Sequence, residues 1–249
     1  MKLTFLGTGT STGVPQIGCR CDTCTSTDPH DKRMRTSALV TTNDNLNLLI
    51  DCGPDFYHQM LRLDSPKLDA LLLTHSHYDH IGGVDDLRPY CAEKPLPVYC
   101  QKDVADALHR LMPYSFAEKP YPGAPTFDVH IIEPLKPFAI GETEILPLPI
   151  MHYKLPILGF KIGDLTYITD CKTMPEESIM PVDTLVLNAL RHEEHLSHLS
   201  LSQALDLIGK IKPRVAYLTH MSHQMGRQSQ VSPTLPPNVH FAYDGLTLP

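Results

Sequence analysis

The sequence predicts an α/β fold in which sheets and helices are layered around one core. Apolar segments of strand length alternate with segments of helical spacing along all 249 residues. Hydrophobic residue types make up 42% of the chain, which is enough for a sizeable core, and no repeat or low-complexity linker interrupts it. We therefore predict one α/β domain over residues 1–249.

The predicted strands are short apolar runs bounded by turn residues. The run DALLLTH over 69–75 is continuously apolar, which is typical of a strand buried on both faces. The other predicted strands cover 3–7, 37–42, 47–51, 96–100, 129–132, 143–150, 157–163, 165–170, 183–190, 214–220 and 239–245.

Helical spacing of apolar residues predicts helices over 54–63, 102–112 and 200–211, and Pro54 suits the first turn of the earliest one. The segment 113–138 is rich in proline and aromatic residues. Two interpretations of this segment stay open. It forms a lid that stacks on a base or sugar, or it is a surface loop that packs its own aromatic rings, namely Tyr114, Phe116 and Tyr121.

The composition argues against some classes of function. A net charge of -7 disfavours a nucleic-acid partner, because such binding needs a basic face, and the basic cluster at 32–35 is typical of a solvated loop. No apolar run approaches the ~18 residues that a membrane helix needs. The N-terminus also lacks the apolar segment of a secretory signal. We therefore expect a cytoplasmic protein without a membrane partner.

Seven cysteines in a cytoplasmic chain indicate metal binding or catalysis more than disulfides. Three of them stand together in GCRCDTC, which spans residues 18–24. Thiolate zinc sites are tetrahedral and closed, so this cluster needs a fourth ligand. Free thiols in a loop are the alternative for Cys19, Cys21 and Cys24, and a redox pair is a further alternative for Cys21 and Cys24. The scattered ones are predicted to be core or near-core thiols: Cys52, Cys91, Cys100 and Cys171.

The strongest signal in the chain is LLLTHSHYDHIGG over 71–83. A predicted buried strand ends there and four metal-type ligands follow within six residues, namely His75, His77, Asp79 and His80. A turn after a strand can direct alternate side chains at one point, so the first two can bind one ion. The last two are displaced by the start of a helix and can bind a second ion.

Three further polar residues follow apolar strands in the same way. His152 follows ILPLPIM, Asp170 follows LTYIT and His220 follows VAYLT. Each one alone is more typical of an ordinary loop residue than of a ligand. Together with the first four they complete two sets of ligands and leave one carboxylate to bridge them.

This order of ligands resembles the metallo-β-lactamase superfamily over nearly the whole chain. The resemblance implies an αββα sandwich with two divalent metal ions at one edge, Mn or Zn. It implies that His75, His77 and His152 hold one ion, and that Asp170 bridges to a second. The second ion is held by Asp79, His80 and His220. Asp51, at the end of NLLID, matches an early aspartate of the superfamily that does not bind metal but orients the side chains that do. The alternative for Asp51 is a simple turn residue.

One branch of this superfamily resembles the chain further. PhnP-type phosphodiesterases of the carbon–phosphorus lyase pathway combine an N-terminal Cys-x-Cys-x-x-Cys with a late histidine, here His223 in LTHMSHQM. The resemblance implies a structural zinc held by Cys19, Cys21, Cys24 and His223. That zinc would clamp the irregular N-terminal loop, residues about 9–35, to the segment that carries His220.

The stretch HLSLSQAL over 198–205 resembles the branch's histidine that lies over the metals. The resemblance therefore implies a catalytic role for His198, as a protonated group that meets phosphate charge and donates a proton to the leaving alkoxide. His192 and His195 are close in sequence, and on a helix the three would share one face. Which of the three faces the metals is left open by the sequence.

The implied function is a phosphodiesterase acting on small, including cyclic, phosphodiesters through a hydroxide that bridges the two metals. Asp79 and His198 are its predicted catalytic residues. The resemblance also suggests a homodimer. Three alternatives stay open: a ribonuclease Z-like enzyme, a lactonase or thioesterase on the same metals, and a non-catalytic carrier or accessory protein like PqqB. Ribonuclease Z has a basic tRNA-binding arm and lacks the cysteine cluster, and a non-catalytic relative would be expected to lose ligands.

Overall fold

The computed structural model describes residues 1–249 and contains two seven-stranded sheets packed face to face. The first sheet has the strand order β14-β1-β2-β3-β4-β5-β6. Its strands are β1 (Lys2–Gly7), β2 (Ser37–Thr41), β3 (Asn47–Ile50), β4 (Ala70–Leu72), β5 (Leu96–Cys100), β6 (Phe127–Ile131) and β14 (Thr247–Leu248).

The second sheet has the order β13-β12-β11-β10-β9-β8-β7. Its strands are β7 (Phe138–Ile140), β8 (Thr143–His152), β9 (Leu155–Ile162), β10 (Leu165–Ile168), β11 (Thr184–Asn188), β12 (Val215–Thr219) and β13 (Val239–Phe241). The α-helices are α1 (Phe56–Arg62), α2 (Tyr78–Ile81), α3 (Lys102–Leu111), α4 (Leu201–Ile211) and α5 (Gln228–Val231).

The two-residue period of the strands divides the apolar side chains among three core layers. Leu48 and Ile50 of β3 face the layer between the sheets, where they join Phe160 and Tyr167 of the second sheet. Leu49, between them in sequence, faces the opposite side, in the layer that includes residues of α1 and α3. A third layer lies between the second sheet and α4. This order of helix, sheet, sheet and helix confirms the predicted αββα sandwich.

The topology brings several strand ends to one edge. β3 and β4 are parallel neighbours, and so are β10, β11 and β12. β8 is antiparallel to β9, which is antiparallel to β10, so β8 runs in the same direction as β10. Because parallel strands finish at the same side of a sheet, the residues that follow these strands meet there.

Most predicted elements are present, with differences at their ends. The predicted helix over 54–63 begins at Phe56, so Pro54 lies before it, and the predicted strand at 129–132 covers Phe127–Ile131. The short edge strands β7 and β14 were not predicted, because they have only three and two residues. None of the helices combines the length and the apolar character that crossing a membrane requires.

Candidate metal centre

The predicted ligands lie where the topology brings strand ends together. His75 and His77 follow β4, and Asp79 and His80 lie on the one-turn helix α2, which begins at Tyr78. His152 is the last residue of β8, while Asp170 and His220 follow β10 and β12. All of these side chains except the exposed His77 are buried.

The ligand atoms form two groups, and within each group they lie within 4.8 Å of one another. The groups share Asp170, whose two oxygen atoms face in different directions. Oδ2 lies 3.8 Å from Nε2 of His75, and Oδ1 lies 3.1 Å from Nε2 of His220. Such a carboxylate is placed to bridge two ions. One group comprises His75, His77, His152 and Asp170, and the other comprises Asp79, His80, Asp170 and His220.

The hydrogen bonding of the histidines fits metal ligation. Nε2 of His75, His80 and His220 is buried and has no hydrogen-bond partner. Buried polar atoms are normally satisfied, so these nitrogens are available for another partner. Imidazole nitrogens and carboxylate oxygens together suit Zn and other divalent transition ions. The residues therefore fit two metal ions, one in each group.

Nδ1 of three candidate ligand rings, those of His80, His75 and His152, is held by the protein, as expected of oriented ligands. Nδ1 of His80 lies 2.7 Å from Oδ2 of Asp51, which is fully buried. Nδ1 of His75 lies 2.9 Å from Oγ1 of Thr74, whose hydroxyl and backbone N–H also bond to Asp51. Nδ1 of His152 lies 2.9 Å from the carbonyl of Ser197. The sequence reasoning missed Thr74 and Ser197, although Thr74 directly precedes a predicted ligand.

The backbone at this edge adopts a conformation that residues other than glycine rarely take. Four residues with a Cβ have left-handed φ values where strands end: Asp51 at 59°, Tyr153 at 56°, Asp170 at 53° and His220 at 55°. Each such residue costs of order 1–3 kcal/mol and tends to occur at functional sites. Part of the backbone strain of the chain therefore lies where candidate ligands turn toward the centre.

The charges within the centre reinforce one another. Burial raises the pKa of Asp170, but the facing His220 and His80 lower it by a larger amount. The pKa of Asp170 is therefore well below its usual range. Burial lowers the pKa of His80, yet Asp170, Asp51 and Asp79 outweigh it and raise that pKa well above its ordinary value. For His75, burial and the charge of His80 both lower the pKa. The carboxylates are therefore anionic and attract cations.

Of the three candidate histidines, His198 is the one that lies beside the two groups of candidate ligands. Its ring centre is 4.6 Å from that of His152 and 4.9 Å from that of His220. Burial, followed by the charge of His220, lowers the pKa of His198 to about 3, so its ring is neutral near pH 7. The ring centre of His195 lies 5.2 Å from that of His198, with the two rings tilted by 33°, and His192 instead contacts the carbonyl of Met225. Residues 191–200 are not helical, so the three do not share a helix face.

The N-terminal cysteines meet the late histidine, as the resemblance implied. Sγ of Cys19 and Sγ of Cys21 each lie 3.3 Å from Nδ1 of His223, and Cys24 completes the group. The hydrogen bond from His223 lowers the pKa of the Cys21 thiol to about 6, which favours the thiolate. Burial raises the pKa of Cys24 to about 11, so this thiol needs a cation to ionise near pH 7. Three sulfur atoms and one imidazole fit a tetrahedral zinc.

The aromatic residues of segment 113–138 differ in their surroundings. The hydroxyl of Tyr114 donates to Asp85, and the ring of Phe116 stacks on His109 with 3.9 Å between ring centres. Tyr121 is 72% exposed. Two of the three aromatic side chains thus contact residues outside the segment, and the third is exposed. The four scattered cysteines are as predicted, since Cys52, Cys100 and Cys171 are buried and Cys91 is half-buried.

Comparison with known families agrees with this geometry. A family profile described as the beta-lactamase superfamily domain matches residues 46–221, which include all seven predicted ligands of the two-metal centre. The chain belongs to the metallo-β-lactamase superfamily. Within it, the chain is similar to a protein solved as "a New Diphosphatase from the PhnP Family", with 35% identity and a TM-score of 0.91. That alignment covers 100% of this chain and 97% of the other, and the predicted likeness to the PhnP type is confirmed.

Other proteins to which the chain is similar carry different names. An octanoyltransferase of Porphyromonas gingivalis is 44% identical over 250 residues, which are 99% of this chain and 51% of that protein. Ribonuclease Z of Acaryochloris marina is 28% identical over 170 residues, which are 66% of this chain and 48% of that enzyme. The chain thus spans about half the length of these curated relatives. Zinc-bound PqqB from Methylobacterium extorquens shares the fold at 18% identity, with a TM-score of 0.82 and full coverage of both chains.

Proposed function

We propose that the chain is a metal-dependent phosphodiesterase that hydrolyses small phosphodiesters, cyclic ones included. The observation that carries this proposal is the pair of ligand groups sharing Asp170, with His198 directly beside them. Divalent ions bound by these groups would activate water and neutralise charge on phosphate oxygens. The ions are Mn or Zn. The similarity to a PhnP-family diphosphatase supports cleavage of a bond between phosphorus and oxygen.

The residues of the chain have distinct parts in this proposal. Asp170 and Asp79 keep the centre anionic and hold the cations against the oriented histidines. His198 lies at the rim of the centre, with Nδ1 4.0 Å from Oδ2 of Asp170 and without a hydrogen-bond partner. As a neutral imidazole it offers an N–H to a phosphate oxygen or to the leaving oxygen, rather than the full positive charge expected from the sequence.

The proposed substrate is a small molecule rather than a structured RNA. The net charge of -7 disfavours the extended basic surface on which a nucleic acid would release counterions. The similarity to ribonuclease Z covers 66% of the chain at 28% identity. We therefore expect no cleavage of a tRNA precursor, which serves as a negative control for hydrolysis of small phosphodiesters.

The first experiment is steady-state hydrolysis of bis(p-nitrophenyl) phosphate by the Mn-loaded protein, beside protein stripped with EDTA and protein reloaded with Mn. Turnover that disappears with EDTA and returns with Mn is the expected result. Cyclic nucleotides and cyclic ribose phosphates would then be screened with the same preparation. Absence of turnover from protein that holds two metal ions in this centre would refute a phosphodiesterase.

Hydrolysis of an acyl ester or thioester is a second candidate, favoured by the 44% identity to a protein named octanoyltransferase. The match covers 51% of that protein, so the name describes a chain about twice as long as the matched part. A metal centre that polarises a phosphoryl oxygen can also polarise an acyl carbonyl. Release of thiol from an octanoyl thioester, measured beside the phosphodiester assay, separates the two candidates.

We also propose zinc as the ion at Cys19, Cys21, Cys24 and His223, a cytoplasmic location and a homodimer. Thiolate-rich tetrahedral sites prefer zinc, and reduced thiols persist in the cytoplasm. A non-catalytic role like that of PqqB is less well supported, because all seven ligands of the two-metal centre are present. Metal analysis of purified protein and its mass in solution test these assignments.

A further inference from the structure

Lys172 follows the bridging Asp170 by two residues and directs its ammonium group away from the ligands. Nζ lies 2.8 Å from the carbonyl of His195, 3.0 Å from Oε1 of Gln203 and 3.4 Å from the carbonyl of His198. An ammonium group has three donor positions, and here three acceptors occupy them. Its three polar partners, His195, His198 and Gln203, all follow β11 in the chain.

Residues 192–198 receive two of these bonds and carry two parts of the candidate metal centre. His198 faces the ligand groups, and the carbonyl of Ser197 orients His152 through Nδ1 at 2.9 Å. Residues 192–198 make no hydrogen bond between backbone atoms, although Leu190 and Leu199 on either side do. The position of this segment therefore depends on side-chain contacts, among them those of Lys172, Arg191 and His152.

Gln203 connects the ammonium group to a rigid element. Its Oε1 accepts from Nζ of Lys172 and, at 3.1 Å, from the backbone N–H of Ser200. Ser200 is the N-cap of α4 and completes a capping box with Gln203. α4 in turn buries Leu201 and Ala204 in the core against the second sheet. Lys172 thus links a fixed helix to an otherwise weakly held segment.

We propose that Lys172 is a positioning residue of the phosphodiesterase reaction, fixing residues 195–198 so that His198 faces the metal groups and Ser197 holds His152. This proposal rests on the proposed function. Direct contact of Lys172 with substrate is disfavoured, since a phosphate oxygen would first have to displace one of the three acceptors already bound. The lysine therefore acts through His198 and through the orientation of His152.

The kinetic test is a double-mutant cycle in the Mn-loaded protein, using K172M, H198A and the combined variant. K161M is a matched control, because Lys161 is also half-buried and donates to two backbone carbonyls, at 2.7 Å to Pro181 and 3.5 Å to Ile179. We expect K172M to lower kcat/KM about 10-fold and K161M to leave it within about 2-fold. Adding K172M to H198A should cost clearly less than about 10-fold, because the contribution made through His198 is already lost and only the one made through His152 remains.

A dependence on the leaving group identifies the role further. Phenol is a poorer leaving group than p-nitrophenol, so loss of a positioned donor should reduce hydrolysis of a phenyl diester more than that of a p-nitrophenyl diester. The proposal is overturned by multiplicative losses in the combined variant, by equal losses with both leaving groups, or by an equal loss in K161M.

A measurement that does not depend on enzymatic activity separates this proposal from the proposed function. In the Zn-loaded protein, the ring C–H resonances of His152 and His198 should shift in K172M and stay in place in K161M. Unmoved resonances in K172M would contradict the positioning role even if the enzyme is active. Shifted resonances in a protein that hydrolyses no phosphodiester would instead support the positioning and refute the proposed function.

Discussion

Asp51 contacts a predicted metal ligand without itself being one. Its Oδ2 binds Nδ1 of His80, and Oδ1 accepts the backbone N–H of Thr74 at 2.8 Å. Such partners fix the ring orientation of a ligand and make it more basic. The φ of 59° also limits which residues this position tolerates, and asparagine is one of them.

Asp51→Asn should weaken metal binding by about 10- to 100-fold while the fold is retained, because the amide is a weaker acceptor for the N–H of His80. Competition with a chromogenic chelator measures the affinity, and circular dichroism checks the fold. Asp64→Asn is a control, since this exposed residue also has a positive φ, of 55°. Equal metal affinity of Asp51→Asn and the unaltered chain would contradict an orienting role.

His198 differs from the ligands in that it lies beside both metal groups and belongs to neither. His198→Ala should therefore lower kcat by about 100-fold, the usual contribution of a positioned proton donor, and leave the metal content unchanged. Elemental analysis of the same preparation measures that content. If the variant loses metal, His198 is a ligand and the donor role is wrong.

At the scale of elements, the sequence predicted the strands that end at the centre better than the segments between them. Apolar runs followed at once by a histidine or an aspartate indicated both an element and a candidate ligand, as at His75 and His220, which the structure brings together with the other candidates. Residues 191–200 carried no such pattern, because side chains and not a regular backbone hold them. The sequence therefore left His192, His195 and His198 as alternatives, and it missed Lys172, whose partners are 23 to 31 residues away.

The cysteine cluster and the N-terminal loop form one element that is tied to the C-terminal half. Gly9 pairs with Met221, and the backbone N–H of Thr10 donates to the carbonyl of the same residue. Met221 lies between the ligand His220 and His223 of the cysteine group. A zinc ion at that group would therefore hold the loop beside the two-metal centre.

Cys24→Ser should remove one zinc ion per chain and loosen the loop, since the variant lacks the buried ligand of the group. Zinc analysis measures the loss, and faster proteolysis within residues 9–35 reports the loosening. Cys91→Ser, at a half-buried cysteine outside the group, should change neither. Unaltered zinc content in Cys24→Ser would show that the cluster consists of free thiols.

At the scale of the whole molecule, a buried charged network joins the two ends of the chain. The guanidinium of Arg33 donates to Oγ1 of Thr8 at 2.8 Å, to the carbonyl of Ala242 at 2.7 Å and to Oε1 of Gln228 at 2.8 Å. Asp244 accepts from the hydroxyl of Thr8 and from the backbone N–H of Met34. Removing one member of a buried charged network costs about 3–5 kcal/mol, because its partners stay buried without compensation.

Arg33→Met should therefore lower the free energy of unfolding by about 3 kcal/mol or more. Urea unfolding of the metal-loaded protein measures this loss. Arg35→Met serves for comparison, because Arg35 pairs with Asp55 at a more exposed position, where an ion pair contributes about 0–1 kcal/mol. Similar losses in the two variants would show that the buried network gives no particular stability.

Asp244 makes the same network sensitive to pH. Burial raises its pKa from 3.8 to about 6, even though hydrogen bonds from Met34 and Thr8 and the charges of Arg33 and Arg62 act in the opposite direction. The folded chain thus holds this proton more tightly than the unfolded chain, so its contribution to stability is present below pH ~4 and is lost as the pH rises toward about 6.

The Asp244→Asn variant has no titratable group at this position. Its free energy of unfolding relative to the unaltered chain should therefore increase between pH 4 and pH 6 and be constant above about pH 7, as measured by urea unfolding at each pH. A difference that stays constant or decreases across pH 4–6 would show that Asp244 is ionised in the folded protein throughout this range.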